Sequence, residues 1–251
     1  MKIKLSLLMI TKNAEELLEK SLSSCKGLVN EIVVVDNNST DRTLEILRSF
    51  KAKIYQNKED DLGKQRAYGL RKVTNDWVLV LDSDEIVSKS LKDEIKKMLS
   101  LRSSMTAGGY LIPFQNHFLG RPINHGGENY KKLILFNKKF IKVDPALVHE
   151  KFKAESENIG VLKNKIYHYS YRSVRQMFTK FTDYAVREAK QKINQGEHSS
   201  FKKIFLYPIH MFWARFIKDK GYKDGLFRIP LDLGFAYMEL MTYVLVFLYG
   251  R

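Results

Sequence analysis

Asp76-Trp77-Val78-Leu79-Val80-Leu81-Asp82-Ser83-Asp84-Glu85 is the stretch that decides the fold, because five apolar residues run without a break into three carboxylates. A continuous apolar run of this length predicts a strand that is buried on both faces, as in the middle of a parallel sheet. In open α/β sheets, ligands bind beyond the carboxyl ends of such strands. We therefore expect Asp82, Asp84 and Glu85 at the mouth of a binding crevice.

Asp82 and Asp84 are two positions apart, and on an extended chain such residues point the same way. Two close carboxylates repel each other unless a cation or a proton lies between them. Because hard oxygen ligands suit magnesium, manganese or calcium, the pair is a candidate cation site. The alternative is a strand that ends in a solvated acidic turn, since an isolated Asp-x-Asp has little specificity.

Apolar runs and helical spacings alternate along the first half of the chain. The pattern predicts strands at 5–10, 31–35 and 53–56 and helices at 14–26, 43–50 and 63–73. Strands that alternate with helices at this spacing predict βαβ units and a parallel sheet. No glycine-rich fingerprint follows the first strand, so we expect no standard nicotinamide or flavin site.

The second half begins with a mixed pattern and becomes helical. We predict a helix at 90–101, strands at 108–114, 132–137 and 165–169, and long helices beyond residue 173. The alternation at 108–137 is closer to that of antiparallel strands at the edge of a mixed sheet. We therefore predict an α/β domain with a mixed, mainly parallel sheet over residues 1–172, and a helical extension over residues 173–251.

The chain is strongly basic, with a formal net charge of +15 and a pI near 9.6. Residues 151–228 contain 17 Lys and Arg against 7 Asp and Glu. Interleaved with aromatic residues, this charge fits an anionic membrane surface, nucleic acid, or a helical core against the sheet. Residues 234–250 are nearly apolar, but Glu239 interrupts them, so we expect an interfacial or buried segment rather than a membrane span.

Four ordered motifs carry a resemblance to a known family. They are Thr11-Lys12-Asn13, Asp36-Asn37-Asn38-Ser39-Thr40-Asp41, Gly63-Lys64-Gln65-Arg66 and Asp82-Ser83-Asp84-Glu85. Over roughly residues 3–115 the chain resembles family 2 glycosyltransferases with the GT-A (Rossmann-like) fold. Val148-His149-Glu150 and the later segment 166–171 resemble the branch that includes bacterial lipopolysaccharide-core glucosyltransferases.

The resemblance implies a nucleotide-sugar donor, a divalent cation (Mn²⁺ or Mg²⁺) and an inverting single displacement. Asp84 would hold the cation, and Asp82 would lie near the ribose or the cation. Lys64 and Arg66 would add positive charge to the diphosphate, the alternative being a solvated helix face. The chain has Ser83 where the family motif is Asp-Ala-Asp, and we expect this change to be harmless.

The nucleoside pocket of the family maps onto Thr11, Asn13 and Asp36, where Asp36 would contact uracil or another base. From the residues alone, two interpretations of Asp36 are open. An acid at a strand end can accept hydrogen bonds from a ribose or a base edge. The segment 36–41 fits an Asx turn that caps a helix equally well.

An inverting transfer needs a base that takes the proton of the acceptor hydroxyl. Glu150 is the first candidate, the alternative being a surface carboxylate paired with a neighbouring lysine. Glu128 is the second, although its glycine-rich loop fits acceptor binding equally well. His149 or His168 could supply a third metal ligand, as a histidine does in some relatives, although a lone histidine is more often structural.

We therefore expect a metal-dependent hexosyltransferase that moves a hexose, such as glucose from a UDP-sugar, onto a cell-envelope glycan or a lipid-linked acceptor such as lipopolysaccharide core. It would be cytoplasmic, peripheral at the inner face of the bacterial plasma membrane, with no nucleic-acid partner. One alternative is a sugar-phosphate nucleotidyltransferase, but Thr11-Lys12-Asn13 lacks the Gly-, Arg- and Lys-containing loop of that class. The other is a protein that binds nucleic acid through its basic C-terminal region.

Overall fold

The computed structural model describes residues 3–59, 61–100, 108–143, 152–154 and 158–250. The strands are β1 Leu5–Thr11, β2 Glu31–Asp36, β3 Lys53–Gln56, β4 Trp77–Val80, β5 Glu85–Val87, β6 Gly109–Phe118, β7 Arg121–Pro122, β8 Lys131–Asn137, β9 Ile141–Val143, β10 Phe152–Ala154, β11 Ile159–Val161 and β12 Ile166–Tyr171. The helices are α1 Glu15–Ser24, α2 Thr43–Ser49, α3 Leu62–Lys72, α4 Lys89–Leu99, α5 Val174–Asn194, α6 Phe201–Trp213 and α7 Ile229–Tyr249.

The chain divides into two compact units. The first comprises residues 1–114 and 131–168, and the second comprises residues 115–130 and 169–251. The boundary predicted from the sequence lies at residue 172, whereas residues 115–130 also belong with the C-terminal helices. Strands β6 and β12 both begin in the first unit and end in the second.

The first unit is organised by a mixed sheet. Its strand order is β3-β2-β1-β4-β8-β6-β12-β5, in which β1 to β4 are mutually parallel. β8 runs antiparallel to both β4 and β6, and β12 runs antiparallel to β5. The predicted mixed sheet is therefore present, but parallel pairs do not predominate along it: β1 to β4 form the parallel side, and β8 and the antiparallel pair of β12 and β5 lie on the other side of β4.

The central strands form because their apolar residues are buried on both faces. Leu7, Leu8 and Met9 of β1 are fully buried, as are Val33–Val35 of β2 and Val78 and Leu79 of β4. Helix α3 packs on β1 and β2, and Gly69 allows the close approach. A Cβ added at Gly69 would lie 2.5 Å from Leu8 Cδ1 and 2.9 Å from Val35 Cγ2.

The second unit is a helical assembly in which α5 and α6 both pack on α7. Its apolar core contains Phe118, Ile123, Met177, Phe181 and Leu231. The segment 115–130 therefore contributes core residues to the helices, which explains why it belongs to this unit.

Helix α7 continues a segment, Leu226–Tyr249, that is long and apolar enough to cross a membrane by length and composition alone. In the structure α7 packs on two helices, and it carries the fully buried carboxylate of Asp232. Helix α7 thus packs within the second unit, although only 33% of its most apolar stretch is buried.

Candidate active site

The site is built at one edge of the sheet in the first unit. β1, β2 and β4 are parallel and adjacent, so their carboxyl ends meet at that edge. Thr11 and Asp36 are register partners at the ends of β1 and β2, and Asp82 follows β4 two residues beyond its end. The edge therefore gathers three of the predicted site residues.

Asp36 is fully buried, and the protein itself uses both of its carboxylate oxygens. Oδ1 accepts hydrogen bonds from Thr11 Oγ1 at 2.8 Å and Ser39 Oγ at 2.6 Å, and Oδ2 accepts one from Ser39 N at 2.8 Å. As in the second interpretation, Asp36 bonds within its own loop, but it caps no helix, since α2 begins at Thr43 and its N-cap residue is Arg42. Asp36 holds the loop after β2 against the end of β1, and its contact with a base stays a prediction.

Asn13 joins the loops that follow β1 and β2. Its Oδ1 accepts a hydrogen bond from Thr40 N at 2.8 Å, and its backbone N–H donates to Ser39 Oγ at 2.9 Å. Asn13 also adopts a positive φ of 48°, a conformation that asparagine tolerates better than most residues. The predicted nucleoside residues Thr11, Asn13 and Asp36 thus lie in one hydrogen-bonded rim.

Asp82 is paired with Arg66 of α3, at 2.7 Å between Asp82 Oδ1 and Arg66 Nη2. Burial acts to raise the pKa of Asp82, but the charges of Arg66 and Lys132 and the Arg66 hydrogen bond outweigh it, and the pKa is lowered. The carboxylate therefore stays ionised. Arg66, which is predicted to contact the diphosphate, lies next to the first acid of the motif.

The chain turns between Asp82 and Glu85, because Glu85 N–H donates to Asp82 O at 3.1 Å. The expectation that Asp82 and Asp84 point the same way assumed an extended chain, and the turn shows that this premise does not hold. Asp82 pairs with Arg66, whereas Asp84 lies beside a histidine: His168 Nε2 is 3.5 Å from Asp84 Oδ1.

His168 reaches this position through a strand that the sequence analysis missed. β5 starts at Glu85, directly after the turn, and pairs with β12 so that Glu85 and His168 are register partners. Burial acts to lower the pKa of His168, but the hydrogen bond and charge of Asp84, together with Glu85, outweigh it, and the pKa is raised. The predicted neighbourhood of Asp84 and His168 is thus present.

Glu85 and Lys132 complete the charged cluster. The Glu85 side chain is buried; its Oε2 accepts a hydrogen bond from Asp82 N at 3.0 Å, and its Oε1 lies 3.7 Å from Lys132 Nζ. Burial and then the charge of Asp82 raise the pKa of Glu85 to about 7. Lys132 also lies over the Phe114 ring at 4.7 Å. Glu85 was expected at the mouth of the crevice, but its buried contacts were not predicted. Lys132 was not predicted at all, because β8 is remote from Glu85 in sequence.

Lys64 lies on the exposed side of α3. Its Nζ is 3.8 Å from Glu59 Oε2, and the lysine side chain is 63% exposed. Lys64 is therefore on a solvated helix face, which was the alternative to a contact with the diphosphate. From this position its long side chain can still reach an anionic ligand.

The geometry can now be compared with known proteins. The family model "Glycosyl transferase family 2" matches residues 6–154, which include both aspartates and the rim. The chain belongs to glycosyl transferase family 2. An uncharacterized glycosyltransferase of Rickettsia typhi is 31% identical over 247 residues, covering 95% of this chain and 85% of the relative. The lipopolysaccharide core biosynthesis glycosyltransferase LpsC of Rhizobium meliloti is 24% identical, covering 96% and 88%.

Solved structures show the same fold as this glycosyltransferase. Residues 1–349 of S. aureus TarS match with a TM-score of 0.52 at 16% identity, covering 96% of this chain and 89% of that one. The complex of TarS with UDP matches with a TM-score of 0.51 at 19% identity and the same coverage. The predicted GT-A fold, with helices flanking a mixed sheet and a helical C-terminal region, is confirmed.

The donor atoms of this glycosyltransferase suit a divalent cation in part. Among the described residues, no three His, Cys, Asp or Glu side chains are close enough to hold a metal ion together. The predicted set of Asp82, Asp84 and His168 is not one of such close groups here, Asp82 is paired with Arg66, and metal binding by the set stays a prediction. Asp84 and His168 remain as a carboxylate and an imidazole side by side, a donor pair that fits manganese and leaves other positions for ligand oxygens.

Glu128, the second candidate base, lies in the other unit. Its Oε2 accepts a hydrogen bond from Asn116 Nδ2 at 2.7 Å, and its Oε1 forms an ion pair with Arg215 Nη2 and lies 3.8 Å from Arg228 Nη2. Glu128 is thus part of a buried ionic network. Glu150 and His149, the other predicted residues, lie outside the described residues.

Proposed function

We propose that this glycosyltransferase transfers a hexose from a UDP-sugar to a cell-envelope glycan or lipid-linked acceptor, with inversion and with a divalent cation. The observation that carries the proposal is the cluster of Asp82, Asp84 and Glu85 with Arg66 and His168 at the carboxyl edge of the sheet. In open α/β sheets that edge is where nucleotides bind.

The chemistry requires positive charge at the leaving nucleoside diphosphate, whose negative charge grows as the glycosidic bond breaks. Asp84, with His168 beside it, would hold a manganese or magnesium ion, which when bound neutralises that charge. Asp82 fixes the Arg66 guanidinium through a charge-assisted hydrogen bond of 2.7 Å. Lys132, whose ammonium lies next to Glu85, adds a second fixed cation to the same cluster.

The nucleoside is proposed to lie along the rim formed by Thr11, Asn13 and Asp36. Asp36 holds the rim in place through three hydrogen bonds and would orient neighbouring polar groups toward the base. TarS, a protein of the same fold, has been crystallised with UDP and with UDP-GlcNAc. The uracil base is therefore the first choice for this chain.

An inverting displacement needs a base on the side of the sugar opposite the diphosphate. We assign this role to Glu150, since the structure places Glu128 in an ionic network with two arginines. Glu150 would take the proton of the acceptor hydroxyl as the new bond to the sugar forms.

The acceptor is proposed to be a component of the envelope, such as lipopolysaccharide core, reached from the cytoplasmic face of the membrane. The support is the relationship to LpsC, whose name describes lipopolysaccharide core biosynthesis, and the excess of positive charge in residues 151–228. Such a charge attracts anionic lipid headgroups.

Two measurements test the proposal: donor binding by the parent chain, and turnover by one site variant and its matched control. UDP-sugars with manganese should raise the melting temperature of the parent chain, because a ligand that binds only the native state stabilises it. Asp84→Ala should lower turnover by about 10²- to 10³-fold, because the charge of the departing diphosphate is no longer compensated. Asp93→Ala, which removes an exposed acid of α4, is the control and should leave turnover unchanged.

Near-normal turnover in Asp84→Ala would refute the site. If no UDP-sugar stabilises the parent chain but another nucleotide sugar does, the donor carries a different nucleobase. The proposed reaction would then stand. Binding to nucleic acid that survives moderate salt, without any sugar transfer, would favour the nucleic-acid alternative.

A further inference from the structure

Helix α6 and the turn that follows it carry a row of large apolar side chains on the surface. Phe205, Ile209, Trp213 and Ile217 are four residues apart, so successive members lie one above another along the helix. Each of the four is between 47% and 67% exposed. We call this row, defined by these four residues, the α6 stripe.

The opposite face of α6 already has its partner. Ile204 is buried, and the rings of Tyr207 and Tyr243 are in edge-to-face contact at 5.0 Å, which fixes α6 on α7. The α6 stripe is therefore an additional apolar surface that the packing of the second unit does not need. Contiguous exposed apolar surfaces of this kind mark sites of interaction with proteins or membranes.

The charges around the stripe decide which partner fits. Residues 201–223 contain six Lys and Arg against one Asp. Lys202 at the start, and Lys218, Lys220 and Lys223 beyond the end, are all exposed. Two copies of the chain that met through this surface would bring these lysines together, whereas an anionic lipid surface would attract them.

The segment is suited to lying in a membrane surface and not to crossing it. α6 has 13 residues, whereas a transmembrane helix needs about 20 apolar residues. Pro208 lies inside the helix and removes one backbone donor. Trp213 occurs near the end of the stripe, and tryptophan is favoured at the level of the lipid headgroups.

We infer that the α6 stripe inserts into the headgroup–acyl boundary of an anionic bilayer, with α6 parallel to the membrane plane and the flanking lysines on the headgroups. The inference deepens the proposed function, since it rests on a membrane-bound acceptor and identifies the surface that docks. The insertion holds the transferase at the surface where a lipid-linked acceptor is anchored.

The two tryptophans of the chain make the insertion measurable. Trp77 is buried in β4, whereas Trp213 is about half exposed. Vesicles of phosphatidylcholine with phosphatidylglycerol, added to the full chain, should shift the emission of Trp213 to shorter wavelength. Trp213→Phe should abolish this shift, and pure phosphatidylcholine vesicles should give a much smaller one.

Sedimentation with the same vesicles tests whether binding depends on the α6 stripe or on any exposed apolar side chain. The double variant Phe205→Ser/Ile209→Ser loses two inserting side chains. Its vesicle partition coefficient should therefore be lower than that of the parent by a factor of about ten or more. The control Val161→Ser/Val186→Ser removes two apolar side chains that are also about half exposed, one on β11 and one on α5. The control should partition like the parent.

Equal partitioning of the stripe variant and the parent, or an unchanged Trp213 emission, would overturn the inference. A parent chain that sediments as a dimer and becomes a monomer in the stripe variant would show that a second copy covers the stripe. Thermal stabilisation by UDP-sugars is measured on the same samples. Vesicle binding without UDP-sugar binding would refute the proposed function alone, and the reverse result would refute the α6 insertion alone.

Discussion

The described residues contain two clusters of carboxylates and cations, one in each unit, which differ in exposure and in charge balance. In the second unit Arg228 is completely buried and binds Asp232 through Nε at 2.9 Å and Asp224 through Nη1 at 3.2 Å. In the first unit Asp82 and Asp84 are partly exposed and have separate partners, Arg66 and His168. The second cluster is a closed network, whereas the first is open toward solvent at the edge of a sheet.

The two clusters also differ in how their negative charge is compensated. Burial and then the charge of Asp82 raise the pKa of Glu85, and Asp84 and Glu85 raise the pKa of His168 against the effect of burial. Negative charge therefore accumulates in this cluster. Such charge is costly unless a proton or a cation accompanies it, and a functional site tolerates that cost because a ligand removes it. In the second unit, Arg215 and Arg228 supply the compensating charge within the fold. The partly exposed aspartates of the first cluster are therefore the better candidates for binding a ligand.

The largest expected effect would separate the two candidate bases. Glu150→Gln should leave UDP-sugar binding intact and slow transfer by about 10²- to 10⁴-fold, because the acceptor proton loses its base. Glu128→Gln should lower the melting temperature, because Arg215 and Arg228 lose a counter-charge, and should leave turnover per folded molecule nearly unchanged. Steady-state kinetics and thermal melts on both variants measure these effects.

The opposite result would reverse the roles of the two glutamates. Normal transfer by Glu150→Gln, together with a large loss in a well-folded Glu128→Gln, would move the base into the ionic network of the second unit.

The next effect concerns stability and would test whether the second cluster is structural. Arg228→Met should destabilise the protein by about 3–5 kcal/mol, because removing one partner of a buried ion pair leaves the other charge uncompensated. Arg42→Met is the matched control, since Arg42 forms an exposed pair with Glu45, and its unfolding midpoint should not move. Denaturant unfolding of both variants gives the comparison, and an Arg228→Met chain as stable as the parent would contradict the closed network.

Much of the first unit could be predicted from the sequence because its signals are local. The buried runs that became β1, β2 and β4 are continuous and apolar, and the helices between them have clear spacing. The position of Asp82 and Asp84 at a strand end follows directly from the same pattern. The match to the family model then confirmed the family that the four ordered motifs resemble.

The remaining features depend on contacts between distant residues. β5 is only three residues long and begins inside the acidic run, so its pairing with β12 leaves no local signal. Lys132 approaches Glu85 only because β8 lies in the same sheet. Arg228 and Asp232 have the composition of a solvated helix end, yet both are fully buried. Spacing alone cannot distinguish such residues from a charged surface.

The most direct test of the account is the position of manganese and UDP in a crystal of the full chain grown with both. We expect the anomalous signal of manganese within about 2.2 Å of an Asp84 carboxylate oxygen, as coordination by a hard oxygen ligand requires. We expect the diphosphate between that ion and Arg66, with the uracil toward Thr11 and Asp36. Manganese and UDP bound together elsewhere, away from both Asp82 and Asp84, would contradict the account.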